Sequence, residues 1–285
     1  MPERTNLLVS LNEAYIPQLR VLLVSLRLNN PALSFDVYLL HRGIPAAALE
    51  RLARELDALG YTLLPITVDG SLFGAAKVTK QYPQEMYYRL LAGRLLPERV
   101  HRALYLDPDI LVINPIDALL DIDLGGKLFA AASHSGKAAL AGGVNRVRLG
   151  TEHDYYNSGV LLMDLDACRR EIDPEAVFGY VREHAGELLL PDQDVLNALY
   201  GGRILPLDDA VWNYDARNYS SYLVKSLGEA DVRWVMSHTA ILHFCGREKP
   251  WKPRYRHRFG ALYLHYMSLT DRLLGENLES ADGVR

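Results

Sequence analysis

The chain is nearly without cysteine. Cys168 and Cys245 are the only two among its 285 residues. With no Cys-x-x-Cys pair, they exclude a cysteine-built zinc site and point to a reducing, cytoplasmic setting. Long apolar runs are missing too. No stretch of ~18 uninterrupted apolar residues occurs, so no membrane-spanning helix is expected. Met1-Pro2-Glu3-Arg4 leads straight into a strand pattern, without the layout of a secretory leader. Neither sign of charge is in large excess. The formal net charge of -4 leaves no basic footprint for nucleic acid. Glycine is absent from Ser10–Tyr15, just after the first apolar run. That removes the Gly-x-Gly-x-x-Gly loop which a dinucleotide-dependent dehydrogenase would place there.

What remains is of ordinary globular type. Apolar residues make up 49% and charged residues 23%, enough for a sizeable core and too ordered a mixture for a disordered chain. One domain over residues 1–275 is expected, followed by a frayed tail over 276–285. The first part alternates in period. Asn6–Leu11, Phe35–His41, Tyr61–Val68 and Ala103–Asp107 read as strands. Ile16–Leu28, Pro45–Leu59 and Glu85–Leu96 read as helices between them. Such alternation predicts an α/β fold with a largely parallel sheet covered on both faces. Further on, Leu128–Ser133, Gly159–Leu165 and Ala240–Phe244 read as strands, and Asp192–Tyr200 and Arg258–Leu274 as helices. His134–Asp154 reads as a long Gly- and Ala-rich loop.

Asp107-Pro108-Asp109 follows the apolar run Ala103-Leu104-Tyr105-Leu106. Residues two apart on an extended chain face the same way. Two carboxylates therefore sit together at the carboxyl end of a strand, where open α/β sheets bind ligands. Like charges so close favour a cation between them, although Asp and Pro are also ordinary turn residues. His243 closes another apolar run, three residues before Gly246 and six before Lys249. An imidazole on the metal and an ammonium on a phosphate would fit that order, with Gly246 allowing close backbone approach. Two carboxylates and an imidazole suit Mn²⁺ better than Mg²⁺, which prefers all-oxygen shells; Mg²⁺ is the alternative. Asp192-Gln193-Asp194 opens a helix, either as capping residues or as a cluster for sugar hydroxyls. Asn157-Ser158-Gly159 reads as a turn before a strand.

Taken together and in order, these segments resemble the family 8 glycosyltransferases, a retaining group. The resemblance spans about residues 6–260. It includes Tyr15, Tyr88-Arg89-Leu90, the Asp107-Pro108-Asp109 segment, Asp123-Leu124-Gly125-Gly126, Tyr156-Asn157-Ser158-Gly159, Asp192-Gln193-Asp194 and His243 through Trp251. It implies a GT-A-like domain, with a Rossmann-like mixed sheet and helices on both faces. It also implies hexose transfer, glucose or galactose, from a UDP-sugar. Asp107, Asp109 and His243 would bind Mn²⁺, and Gly246 and Lys249 would contact the diphosphate. Tyr15 would lie against the uracil, with Ser10 and Asn12 of the same loop on the nucleotide side. Arg89, Asn157, Asp192 and Gln193 would line the donor sugar, and Gln193, Asp192 and Lys249 would serve catalysis. Gln193 stands where a nucleophile has been considered. An amide oxygen is a weak one, and front-face transfer is the other route.

Two departures bear on specificity. Asn12 stands where the family often has an Asp toward the base, and an amide still offers a donor and an acceptor. Ser133 or His134 replaces a sugar-binding Asp, so UDP-glucose is expected to serve at least as well as UDP-galactose. The acceptor is expected to be a carbohydrate or lipid-linked sugar. Arg247–Arg258 holds six Lys or Arg and one acid. It reads as a solvated turn or, beyond Lys249, as a contact for an anionic acceptor or weakly for a membrane surface, peripheral to the inner face. A non-catalytic nucleotide-sugar binding protein descended from such an enzyme is the competing reading.

Overall fold

The computed structural model describes residues 4–69, 84–133 and 144–282, the ends 84–85 and 276–282 by backbone only. Seven strands form the main sheet, in the order β3-β2-β1-β4-β7-β6-β8. They are β1 (Thr5–Ser10), β2 (Phe35–His41), β3 (Thr62–Thr67), β4 (Arg102–Leu106), β6 (Phe129–Ala132), β7 (Val160–Asp164) and β8 (Ile204–Leu207). The first four are parallel. β7 runs antiparallel to β4 and to β6, and β8 is parallel to β6, so the sheet is mixed. A small second sheet joins β5 (Ile110–Val112), β10 (Ile241–His243) and β9 (Tyr214–Asp215).

Period-two alternation sends neighbouring residues of one strand to opposite faces. Leu7 and Val9 of β1 enter a core with α1 (Ile16–Asn29) and α2 (Ala46–Ala58). Leu8, between them, enters a second core with Tyr88, Leu165, Val177 and Val195 on the other face. A third cluster, including Leu111, Tyr214, Leu242, Phe244 and Tyr263, holds the small sheet against the C-terminal helix. That helix runs Gly260–Asp282, past the expected end at Leu274.

The expected helix Glu85–Leu96 does not form as one piece. A 3-10 turn at Gln84–Tyr87 and a short helix at Ala92–Leu95 flank irregular turns. Tyr87, Tyr88, Leu90, Leu91 and Ala92 are all buried, as is Arg89. A segment buried on every side has no polar face to orient a surface helix. The expected loop His134–Asp154 carries a helix at 144–149, its earlier part lying outside the described residues. Strands β5 and β8 and the helices Leu165–Glu171 and Pro174–Glu183 are additional to those expected.

Candidate active site

β1 and β4 lie side by side, while β2 and β3 extend the sheet beyond β1 only. The chain therefore reverses direction across the sheet at β1/β4, the crevice where such sheets hold ligands. Ser10 closes β1, and Asp107 follows the end of β4. The Asp107-Pro108-Asp109 turn delivers the chain into β5, which pairs antiparallel with β10. In that register His243 stands opposite Ile110, and the Phe244 N–H donates to the Asp109 carbonyl at 3.0 Å. Residues far apart in sequence are thus brought to one point by the small sheet.

His243 Nε2 lies 3.3 Å from Asp109 Oδ1 and 3.8 Å from Asp107 Oδ2. One ligand atom from each of the three residues falls within 4.8 Å of the others. Each carboxylate spends its second oxygen on the protein. Asp107 Oδ1 takes Arg89 at 2.9 Å and the Tyr105 hydroxyl at 2.6 Å. Asp109 Oδ2 takes the Lys249 ammonium.

A chain of amides fixes the imidazole. The Gly159 N–H, an unambiguous donor, points at Asn157 Oδ1 at 2.9 Å. That oxygen also accepts from Asn213 Nδ2 at 2.9 Å, which turns Asn213 Oδ1 to His243 Nδ1 at 2.9 Å. Nδ1 is then the donor, and in the neutral ring Nε2 would present its lone pair to the aspartates. Two carboxylate oxygens and that nitrogen could hold a divalent cation. Burial opposes charge on His243, but Cys245 and Asp109 outweigh it and raise its pKa well above the usual value. Burial likewise works against the Asp109 carboxylate, yet His243 and Lys249 hold its pKa well below the usual range.

Gly159 permits this closeness. A Cβ there would stand 2.3 Å from His243 Cε1 and 2.7 Å from Asp107 Oδ2. Arg89 lies over the Tyr105 ring at 4.5 Å, with Nε 3.5 Å from Asp192 Oδ2. Burial opposes its charge, and Asp107, Tyr105 and Asp192 raise its pKa further. Burial raises the Asp192 carboxyl, with Arg89 pulling the other way. Ser158 Oγ donates to Asp192 Oδ2 at 2.8 Å. Gln193 Oε1 accepts from Asn157 Nδ2 at 3.0 Å and from the Ser158 N–H at 3.4 Å.

Asp107, Asp109, His243, Arg89, Asn157, Asp192, Gln193 and Gly246 line one cleft of about 740 Å³. Ser10, Asn12 and Tyr15 face the Asp107-Pro108-Asp109 turn across a smaller cavity of about 230 Å³. Asn12 uses its carbonyl oxygen to cap the Ala14 N–H at 3.1 Å. Lys249 lines neither cavity; its ammonium is held by Asp109 and the Phe244 carbonyl. Asp194 also leaves the group. It is fully buried and accepts from the Leu189 N–H, Tyr155 and Arg148, so it anchors the helix start. Ser133 and the Asp123-Leu124-Gly125-Gly126 turn line neither cavity, and His134 lies outside the described residues. Asn213, Tyr105, Ser158 and Arg217 are the site neighbours that sequence reasoning missed. Asn213 sits in an unremarkable Trp212-Asn213-Tyr214 run and shows its role only through contacts.

The profile of the glycosyl transferase family 8 matches residues 6–254. The general stress protein A of Bacillus subtilis is 30% identical over 241 residues, 82% of each chain. The lipopolysaccharide 1,2-glucosyltransferase of Escherichia coli K12 is 27% identical, over 87% of this chain and 73% of its own. The crystal structure of the galactosyltransferase LgtC superimposes with a TM-score of 0.78 at 22% identity, over 93% of this chain and 96% of LgtC. The chain belongs to glycosyl transferase family 8, and its fold is the mixed α/β architecture of the GT-A glycosyltransferases.

Proposed function

We propose that this glycosyltransferase moves a hexose from a UDP-linked donor to a carbohydrate or lipid-linked acceptor, with a divalent cation, Mn²⁺ before Mg²⁺, at Asp107, Asp109 and His243. The observation that carries the reading is the convergence of Asp107 Oδ2, Asp109 Oδ1 and His243 Nε2 at the sheet crevice, between a small cavity and a larger polar cleft. A divalent ion held there supplies positive charge for a diphosphate. The small cavity, with Tyr15 and Asn12, suits a flat nucleobase. Arg89, Asp192, Asn157 and Gln193 supply donors and acceptors for sugar hydroxyls. The relatives support a hexose, since one of them is named a lipopolysaccharide glucosyltransferase.

Lys249 is placed to answer the charge that grows on the leaving diphosphate, since its ammonium is already held beside the metal-binding carboxylate. Gln193 acts by position. Its amide oxygen already accepts from Asn157 and Ser158, which lowers its value as a nucleophile. This favours front-face transfer, in which the departing phosphate oxygen takes the acceptor proton. A donor screen by mass spectrometry tests the function, using Mn²⁺ and a panel of UDP-, GDP- and ADP-sugars. Consumption of a UDP-hexose is expected. Preferential turnover of a GDP- or ADP-sugar would overturn the uridine assignment, and no turnover of any donor would favour a non-catalytic binding protein.

A further inference from the structure

Beside the donor cleft lies a third cavity of about 450 Å³, lined by Arg217, Tyr219, Ser220, Arg256, His257 and Arg258 together with Ala216. It shares Arg217 and His257 with the donor cleft, so the two adjoin. Among the described residues no carboxylate lines it, in a chain whose net charge is -4. Nearby acids are accounted for. Asp215 binds Arg217 through Nε and Nη2 at 2.9 and 2.7 Å, and Glu248 lies 3.4 Å from His257. The third guanidinium nitrogen, Nη1, reaches over Gly246, where a Cβ would stand 2.4 Å away. Gly246 has φ +85°, a backbone state suited to glycine. Arg256 and Arg258 are exposed and form no ion pair among the described residues; Arg258 rests on the Tyr219 ring at 4.2 Å.

The charge of the proposed donor diphosphate is answered by Lys249 and the cation. Arg256 and Arg258, which form no ion pair among the described residues, and the Nη1 edge of Arg217 remain beside the cleft for a second anion. Their planar forks match phosphate oxygens. We propose that this groove binds a phosphate carried by the sugar acceptor, so that the acceptor class is a phosphorylated saccharide. The inference rests on the glycosyltransferase reading above and gives the basic run Arg247–Arg258 a use that Lys249 alone does not.

Calorimetric titration of glucose 6-phosphate and of glucose into the full chain, saturated with UDP and Mn²⁺, tests it. Glucose 6-phosphate should bind at least about tenfold more tightly than glucose. The Arg256→Gln/Arg258→Gln variant should lose about tenfold of that affinity, with UDP affinity and melting temperature unchanged. Ser220→Glu, which adds a like charge at an exposed groove position, should do the same and guards against a folding defect in the first variant. Equal binding of the two sugars, or variants that bind as the parent does, would overturn the proposal. If UDP with Mn²⁺ does not bind the parent chain, the donor reading falls, while the same titrations without UDP still decide the groove. Binding to phosphatidylglycerol vesicles with no binding of glucose 6-phosphate would assign the cations to a membrane surface and overturn the proposal.

Discussion

Each residue at the metal-type cradle has one atom committed to the protein and one turned inward. This makes the effects of single substitutions separable. Asn213 touches His243 Nδ1 and is not one of the three residues of the proposed metal site, so it is a positioning residue. Asn213→Leu should weaken Mn²⁺ binding by about 10- to 100-fold, as loss of an orienting partner does. Direct Mn²⁺ titration followed by electron paramagnetic resonance checks it, and unchanged affinity would refute the amide chain. Lys249→Ala should lower kcat by about 10²–10³, because a fixed cation helps the charge-developed state most. A rise in KM alone would make the lysine a uniform binding contact. Asp192→Asn should impair transfer and leave UDP affinity nearly intact, since UDP lacks the sugar. Loss of UDP binding in a folded variant would contradict the proposed place of Asp192 at the donor sugar.

Two neighbours on the helix Pro191–Tyr200 show how one element serves two ends. Asp192 faces the cleft, whereas Asp194 is fully buried against Arg148 and Tyr155. Asp194→Ala should destabilise the fold by roughly 3 kcal/mol, the low end for breaking a buried ion pair because Arg148 keeps some contact with water. Denaturant melts measure it, and a midpoint equal to that of the parent would contradict it. The sequence pattern of Asp192-Gln193-Asp194 allows capping and ligand recognition alike; in the structure Asp192 and Gln193 line the cleft, and Asp194 accepts from the backbone N–H groups at the helix start. Strands were legible where apolar runs are bounded by turns, as in Phe35–His41, which is recovered with its ends intact. β5 is only three residues long and its pairing partner lies more than a hundred positions away, so no local period marks it. The segment around Arg89 was misread for a related reason. Its apolar spacing resembles a helix, but its shape is set by burial on all sides.

At the scale of the whole molecule, the doubly covered sheet does little chemistry itself. It ends β1 and β4 beside each other, and the small sheet then swings His243 onto their aspartates. The two aspartates were readable from their place just after an apolar run, but their convergence comes from the turn at Pro108-Asp109 and not from an extended two-residue spacing. Their meeting with His243 was expected from its place before Gly246 and Lys249 and from the ordered family motifs, and the Asn213 support was not readable at all. UDP titration by calorimetry, in Mn²⁺ and in EDTA, with the parent chain and with Asp109→Asn, is the most direct test of the cradle as a donor-binding metal site. UDP should bind the parent much more tightly in Mn²⁺ than in EDTA, and the Asp109→Asn chain should lose most of that difference. Equal UDP affinity of the parent chain in Mn²⁺ and in EDTA would contradict the assignment.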